Sequence, residues 1–134
     1  MPQDRDSGAA ANQWGRETAR YIASQIGATM QSRASNEALL NGQNVVIKCA
    51  APATNSVGVT YKMLEKLDAV IGAFQSDDGS FELWSLSPKQ FESAMRETRS
   101  RGPSSGKVAI VRRGVFISHG TPLGRIQSRC SDKV

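Results

Sequence analysis

Apolar residues recur in more than one rhythm along this chain of 134 residues. Near the N-terminus Trp14, Tyr21, Ile22 and Ile26 keep helical spacing, which predicts a helix over residues 12–25 closed by Gly27. Glu17 falls on the same stripe, so its carboxylate lies at the rim or faces a positive group. From residue 44 to 50 the period drops to two. Val45, Ile47 and Cys49 face one way, and Val46, Lys48 and Ala50 the other. Residues 69–74 are apolar throughout, as in a strand buried on both faces. Residues 80–86 alternate again, with Phe81, Leu83 and Ser85 opposed to Glu82, Trp84 and Leu86.

Turn and cap signals punctuate these segments. Asn41 and Gly42 form a two-residue hairpin signal ahead of the first strong strand. Ser76 to Gly79 makes a turn between the next two, which therefore pair as a hairpin. Ser87, Pro88 and Gln90 read as an N-cap, a first helical residue and a capping-box partner. The helix they open shows Phe91, Ala94 and Met95 on its apolar side and ends near Thr98. Residues 28–40 read as a short strand and an extended arm, and 57–67 as a helix with Val59, Met63, Leu64 and Leu67 on one side. A strand lies within 107–117, and a turn and extension within 120–126.

The order is helix, strand pair, helix, strand hairpin, helix, strand. It predicts a single-domain α/β fold over residues 13–127, with a mixed β-sheet flanked by helices. Residues 1–12 read as a flexible N-terminal tail and 128–134 as a C-terminal tail.

Composition narrows the picture. Hydrophobic residues make up 39% and charged residues 22%, enough for a packed core. No run approaches the roughly 20 apolar residues of a membrane helix, so no membrane partner is expected. The start of the chain lacks the apolar run of an export signal, which implies a cytoplasmic location and reduced Cys49 and Cys130.

Charge is uneven. Residues 1–95 carry 8 Lys+Arg and 10 Asp+Glu, while residues 96–134 carry 9 Lys+Arg and 2 acids. The +5 net charge therefore comes from the last third. Arg96, Arg99, Arg101, Lys107, Arg112 and Arg113 fall there, the footprint of a protein that grips a phosphate backbone, with DNA as the expected partner. Arg96 and Arg99 share one face if the helix reaches them. A basic, solubilising tail accounts for the same charges equally well. His119 sits in a turn and reads as a surface histidine, no Cys/His cluster has zinc spacing, and Gly102 to Lys107 carries Pro103 where a phosphate loop needs an N–H.

The element order, with Lys48 in the strand after Asn41 and Gly42, resembles the core of the PD-(D/E)XK nuclease superfamily, the restriction-endonuclease-like fold. The likeness spans about residues 14–117. In that pattern an acid precedes the hairpin, and an acid-any-Lys triplet lies on the next strand. Here the triplet reads Val46-Ile47-Lys48 and the first acid is Asn36, preceded by Ser35. The resemblance implies a metal-dependent DNA endonuclease or resolvase using Mg²⁺, and both of the pattern's acids are absent. A migrated site would draw on Lys48, Glu17 and Glu37 for catalysis, with Glu37 and Asn36 as metal ligands; Glu65 and Asp68 are further acids in reach of Lys48. The other outcome is a catalytically inactive module that binds nucleic acid, or a protein partner through an apolar patch at Trp84 or Phe116. A core this small implies a homodimer or a partner subunit if it is to cut specific sequences.

Overall fold

A computed structural model describes residues 2–31, 36–54, 56–94, 96–97 and 108–127. The first element is a long helix, α1 (Pro2–Ile26). It starts well before residue 12, so the expected N-terminal tail is its opening turns; Ala9, Ala10 and Ala11 are strong helix formers with no breaker between them and Trp14. Three strands follow as an antiparallel meander: β1 (Thr29–Met30), β2 (Glu37–Leu40) and β3 (Gln43–Ala50). Asn41 and Gly42 take positive φ of 53° and 80° in the turn between β2 and β3, as a tight hairpin demands.

The segment expected as a helix over 57–67 opens as a strand and keeps only one helical turn. β4 (Ser56–Thr60) leads into a single turn of helix, α2 (Tyr61–Leu64). Val57 and Val59 are β-branched and alternate with Gly58 and Thr60, and that two-residue period wins locally over the helical stripe of Met63 and Leu64. The chain then returns as β5 (Ala69–Gln75), parallel to β3, and turns into β6 (Phe81–Leu86), antiparallel to β5.

Helix α3 (Pro88–Ala94) opens on the expected capping box. The Gln90 N–H donates to Ser87 Oγ at 3.1 Å, and the Ser87 N–H donates to Gln90 Oε1 at 3.0 Å. It stops at Ala94, before Thr98, and β7 (Arg96–Glu97) begins. β8 (Val108–Arg112), helix α4 (Arg113–His119) and β9 (Thr121–Ile126) complete the chain.

Two sheets result. The larger has six strands in the order β1-β2-β3-β5-β6-β9, mixed because β3 and β5 run parallel. The smaller has the order β4-β8-β7. The architecture is thus a small mixed α/β domain with helices on both faces of its main sheet. No helix among the described residues is long and apolar enough to cross a membrane.

The main sheet is buried on both sides. On one, Ala19, Ile22 and Ala23 of α1 pack against Val45, Ile47, Ile71, Ala73, Phe81 and Leu83. Tyr21 Oη donates to the Gln127 carbonyl at 2.8 Å and ties α1 to the chain beyond β9. On the other side Val46, Ala50, Val70, Phe74 and Leu86 meet the second sheet, Leu64, Phe91 of α3 and Phe116 of α4. Phe91 and Phe116 are fully buried, and each contributes about 1.5–3 kcal/mol by leaving water.

Gly72 makes this second layer fit. A Cβ there would come within 2.8 Å of the Phe74 ring and 3.0 Å of the Phe116 ring. Gly72→Ala is therefore expected to cost about 1–3 kcal/mol as both rings are forced aside. Urea denaturation measures this directly, and an unchanged midpoint would show that the rings are not held against the strand.

Candidate functional site

Strand alternation decides what Lys48 can meet. Val45 and Ile47 belong to the α1 side of the main sheet, while Val46 and Ala50 belong to the other. Lys48, between Val46 and Ala50 in phase, therefore projects away from α1. Glu17 is exposed on α1. The sheet lies between these two residues, so the expected Glu17–Lys48 pair does not form. Of the expected helical stripe, Ile22 does face the sheet, on the side opposite the lysine, while Glu17 is exposed.

Glu37 lies on the lysine's side. It stands opposite Val46 in the register, one diagonal step from Lys48. Its carboxylate is 3.8 Å from Lys66 Nζ. Asn36 stands opposite Ile47, whose N–H donates to the Asn36 carbonyl at 3.0 Å; alternation assigns Asn36 to the α1 side, away from Glu37. Asp68 accepts the Asn44 N–H at 2.9 Å and so holds the start of β5 against β3.

These placements bear on the Mg²⁺ centre that the resemblance implies. Mg²⁺ needs oxygen ligands in near-octahedral array, usually with one or two carboxylates. Val46 is fully buried and has no side-chain oxygen, Asn36 and Glu37 diverge, and Glu37 is beside a lysine. Among the described residues no three His, Cys, Asp or Glu side chains come together as a metal site. The donor set does not fit the ion.

Cations gather on this side instead. Lys48 is half-buried, with no carboxylate within salt-bridge reach among the described residues, and burial lowers its pKa from the ordinary lysine value, with the neighbouring Cys49 opposing the shift. In the register Lys48 lies beside Gly72, which lies beside Trp84. The Phe74 ring covers Gly72, edge-on to Phe116 at 5.2 Å between centroids. Over Phe74 sits the Arg113 guanidinium, its carbon 5.1 Å from the ring centroid, within cation–π range.

Arg113 also lines an open cavity of about 450 Å³ together with Arg112, Ser118 and His119. A second cavity of about 430 Å³ is lined by Lys89, Gln90 and Ser93 of α3. The two share Val115 and His119, so they form one groove around α4, and neither is lined by a carboxylate. Gln90 Nε2 donates to the His119 carbonyl at 3.1 Å and fixes the two helices to each other.

Of the expected phosphate-contacting residues, Arg112 and Arg113 are thus brought into one groove. Arg96 lies in β7 and not on a helix, because the helix ends at Ala94. Arg99, Arg101 and Lys107 lie outside the described residues. Lys89 and Ser118 were not singled out from the sequence. Lys89 lies among the cap residues Ser87, Pro88 and Gln90, whose pattern carries no binding signal, and a seven-residue helix at 113–119 is too short for a periodic pattern to show. The apolar patch expected at Trp84 or Phe116 does not form, since Phe116 is fully buried and Trp84 half-buried.

No protein-family model matches the chain, and no curated protein matches it.

Lys48 makes stability depend on pH. Because its pKa is lowered on folding, the folded state releases that proton at lower pH than the unfolded chain does. The cost of holding it charged is full below the lowered value and is relieved as pH rises from there toward the ordinary one. Lys48→Met is expected to raise the urea midpoint at pH 7, with the gain shrinking as the buffer approaches the ordinary lysine range. A midpoint lowered equally at every pH would contradict this.

Proposed function

We propose that the chain binds nucleic acid, DNA in the first instance, through its phosphate backbone, on a scaffold of restriction-endonuclease-like type. One observation carries the reading: the groove around α4 is lined by Arg112, Arg113 and Lys89 with no carboxylate. Acid-free basic concavities concentrate field lines and attract polyanions. The +7 balance of residues 96–134 adds charge from the same part of the chain.

Binding without metal-dependent cleavage is the form of the function that the residues support. The resemblance to the nuclease core concerns element order and the position of Lys48. Among the described residues, the carboxylates that would hold Mg²⁺ in that core have no counterpart grouped around this lysine. Lys48, unpaired and part-desolvated, suits a contact to a phosphate oxygen.

Fluorescence anisotropy with a labelled duplex across a salt series tests the binding. Affinity should fall steeply with salt, each phosphate contact adding about 0.9 to the slope of log K against log salt. Arg112→Gln with Arg113→Gln should flatten that slope by roughly 1.8. An unchanged slope would remove the groove from the interface. The same duplex, incubated with Mg²⁺ or Mn²⁺, should stay intact, and cutting by the wild type would contradict the non-catalytic reading.

A further inference from the structure

Arg113 differs from the other cations of the groove. Nε and Nη2 of its guanidinium are buried, and neither has a hydrogen-bond acceptor among the described residues. Trp84 Nε1 is in the same condition on the same side of the main sheet, and Lys48, two strands away, has no salt bridge among the described residues. On this side of the sheet the buried N–H groups of Arg113 and Trp84 thus lack acceptors among the described residues. Burying a donor without an acceptor is unfavourable, and burying a charged one more so. Such an arrangement persists in a folded protein when something else supplies the acceptor.

The guanidinium is also held in place before any ligand arrives. Its carbon sits 5.1 Å from the centroid of the Phe74 ring, Phe74 is pinned across Gly72, and Phe116 braces Phe74 edge-on. Arg113 opens on the cavity that holds Arg112, Ser118 and His119. A planar fork of N–H groups in fixed orientation matches an oxyanion with two or more oxygens, which a lysine ammonium does not.

We infer that Arg113 is the anchor of an oxyanion site that takes one phosphoryl group, with Arg112 and Ser118 completing the cavity. On the nucleic-acid reading, on which the identity of the ligand rests, the phosphoryl group belongs to a backbone; free phosphate offers the same oxygens. Arg113 thus contributes to ligand binding at the expense of the unliganded fold.

That opposition separates an anchor from a structural arginine. The probe is inorganic phosphate, added to the full chain in a phosphate-free buffer, with chloride at matched ionic strength as the control. Phosphate should raise the melting temperature of the wild type in proportion to its saturation and displace a labelled duplex, and chloride should not. Arg113→Met should melt at or above the wild-type temperature without phosphate and lose the phosphate response. Arg113→Lys keeps the charge but loses the fork, and should bind phosphate about tenfold or more weakly. The site is overturned if the wild type shows no phosphate-specific response, or if Arg113→Lys responds as the wild type does. It is likewise overturned if Arg113→Met melts lower while keeping the response. Duplex binding with no phosphate response would sink the anchor and leave the nucleic-acid reading standing; phosphate binding with no duplex binding would uphold the anchor and sink that reading.

Discussion

The parallel pairing of Gln43–Ala50 with Ala69–Gln75 is the constraint from which the rest follows. These two strands form the middle of the main sheet, and both of their faces are buried. Side-chain alternation along them divides the molecule. Val45, Ile47, Ile71 and Ala73 are committed to the long N-terminal helix; Val46, Lys48, Ala50, Val70 and Phe74 are committed to the second sheet and the short helices. A slip of one residue would exchange the two sets and bury Lys48 under the helix. The register thus places a lysine in the layer where Arg113, Phe74 and Trp84 meet, and bars it from the exposed acid of the helix.

That layer combines tight packing with unpaired donors. Phe74, Phe91 and Phe116 interlock edge to face, and the absence of a side chain at Gly72 lets two of them lie against the sheet. A rigid aromatic floor is a costly place for a cation without an anion, since the low dielectric strengthens any interaction and penalises a missing one. The same physics favours an incoming phosphate, whose charge would be shared with groups already in position. Four carboxylates among the described residues are placed otherwise. Glu37 faces Lys66, Glu82 faces Arg125 at 3.7 Å, and Asp68 and Asp78 accept backbone N–H groups. Each has a local structural partner, and none is grouped with others as a hard cation requires.

Much of the frame was legible in the sequence because its signals are short-range. Asn41 and Gly42 specify their turn, Ser87 and Gln90 their cap, and the apolar run at residues 69–74 a strand covered on both sides. The second sheet was not legible. Ser56–Thr60 is a strand through its antiparallel pairing with Val108–Arg112, whose register joins Ser56 to Arg112 and Thr60 to Val108, and no local pattern encodes that partner. For the site, Arg112 and Arg113 were marked by charge alone, and what distinguishes Arg113, its cation–π contact with Phe74, depends on tertiary structure. Glu17 was misplaced because helical periodicity reports that a face is covered but not which side of a sheet covers it.

The central claim is that one side of the sheet binds and the other is structural. Amide chemical shifts of the ¹⁵N-labelled chain, followed through titration with a short duplex, test it most directly. The account predicts that shifts cluster at Arg112–His119 and at the start of the Pro88–Ala94 helix, while Ala19, Ile22 and Ala23 stay in place. Shifts centred on the long helix, with the Arg113 region unmoved, would contradict it.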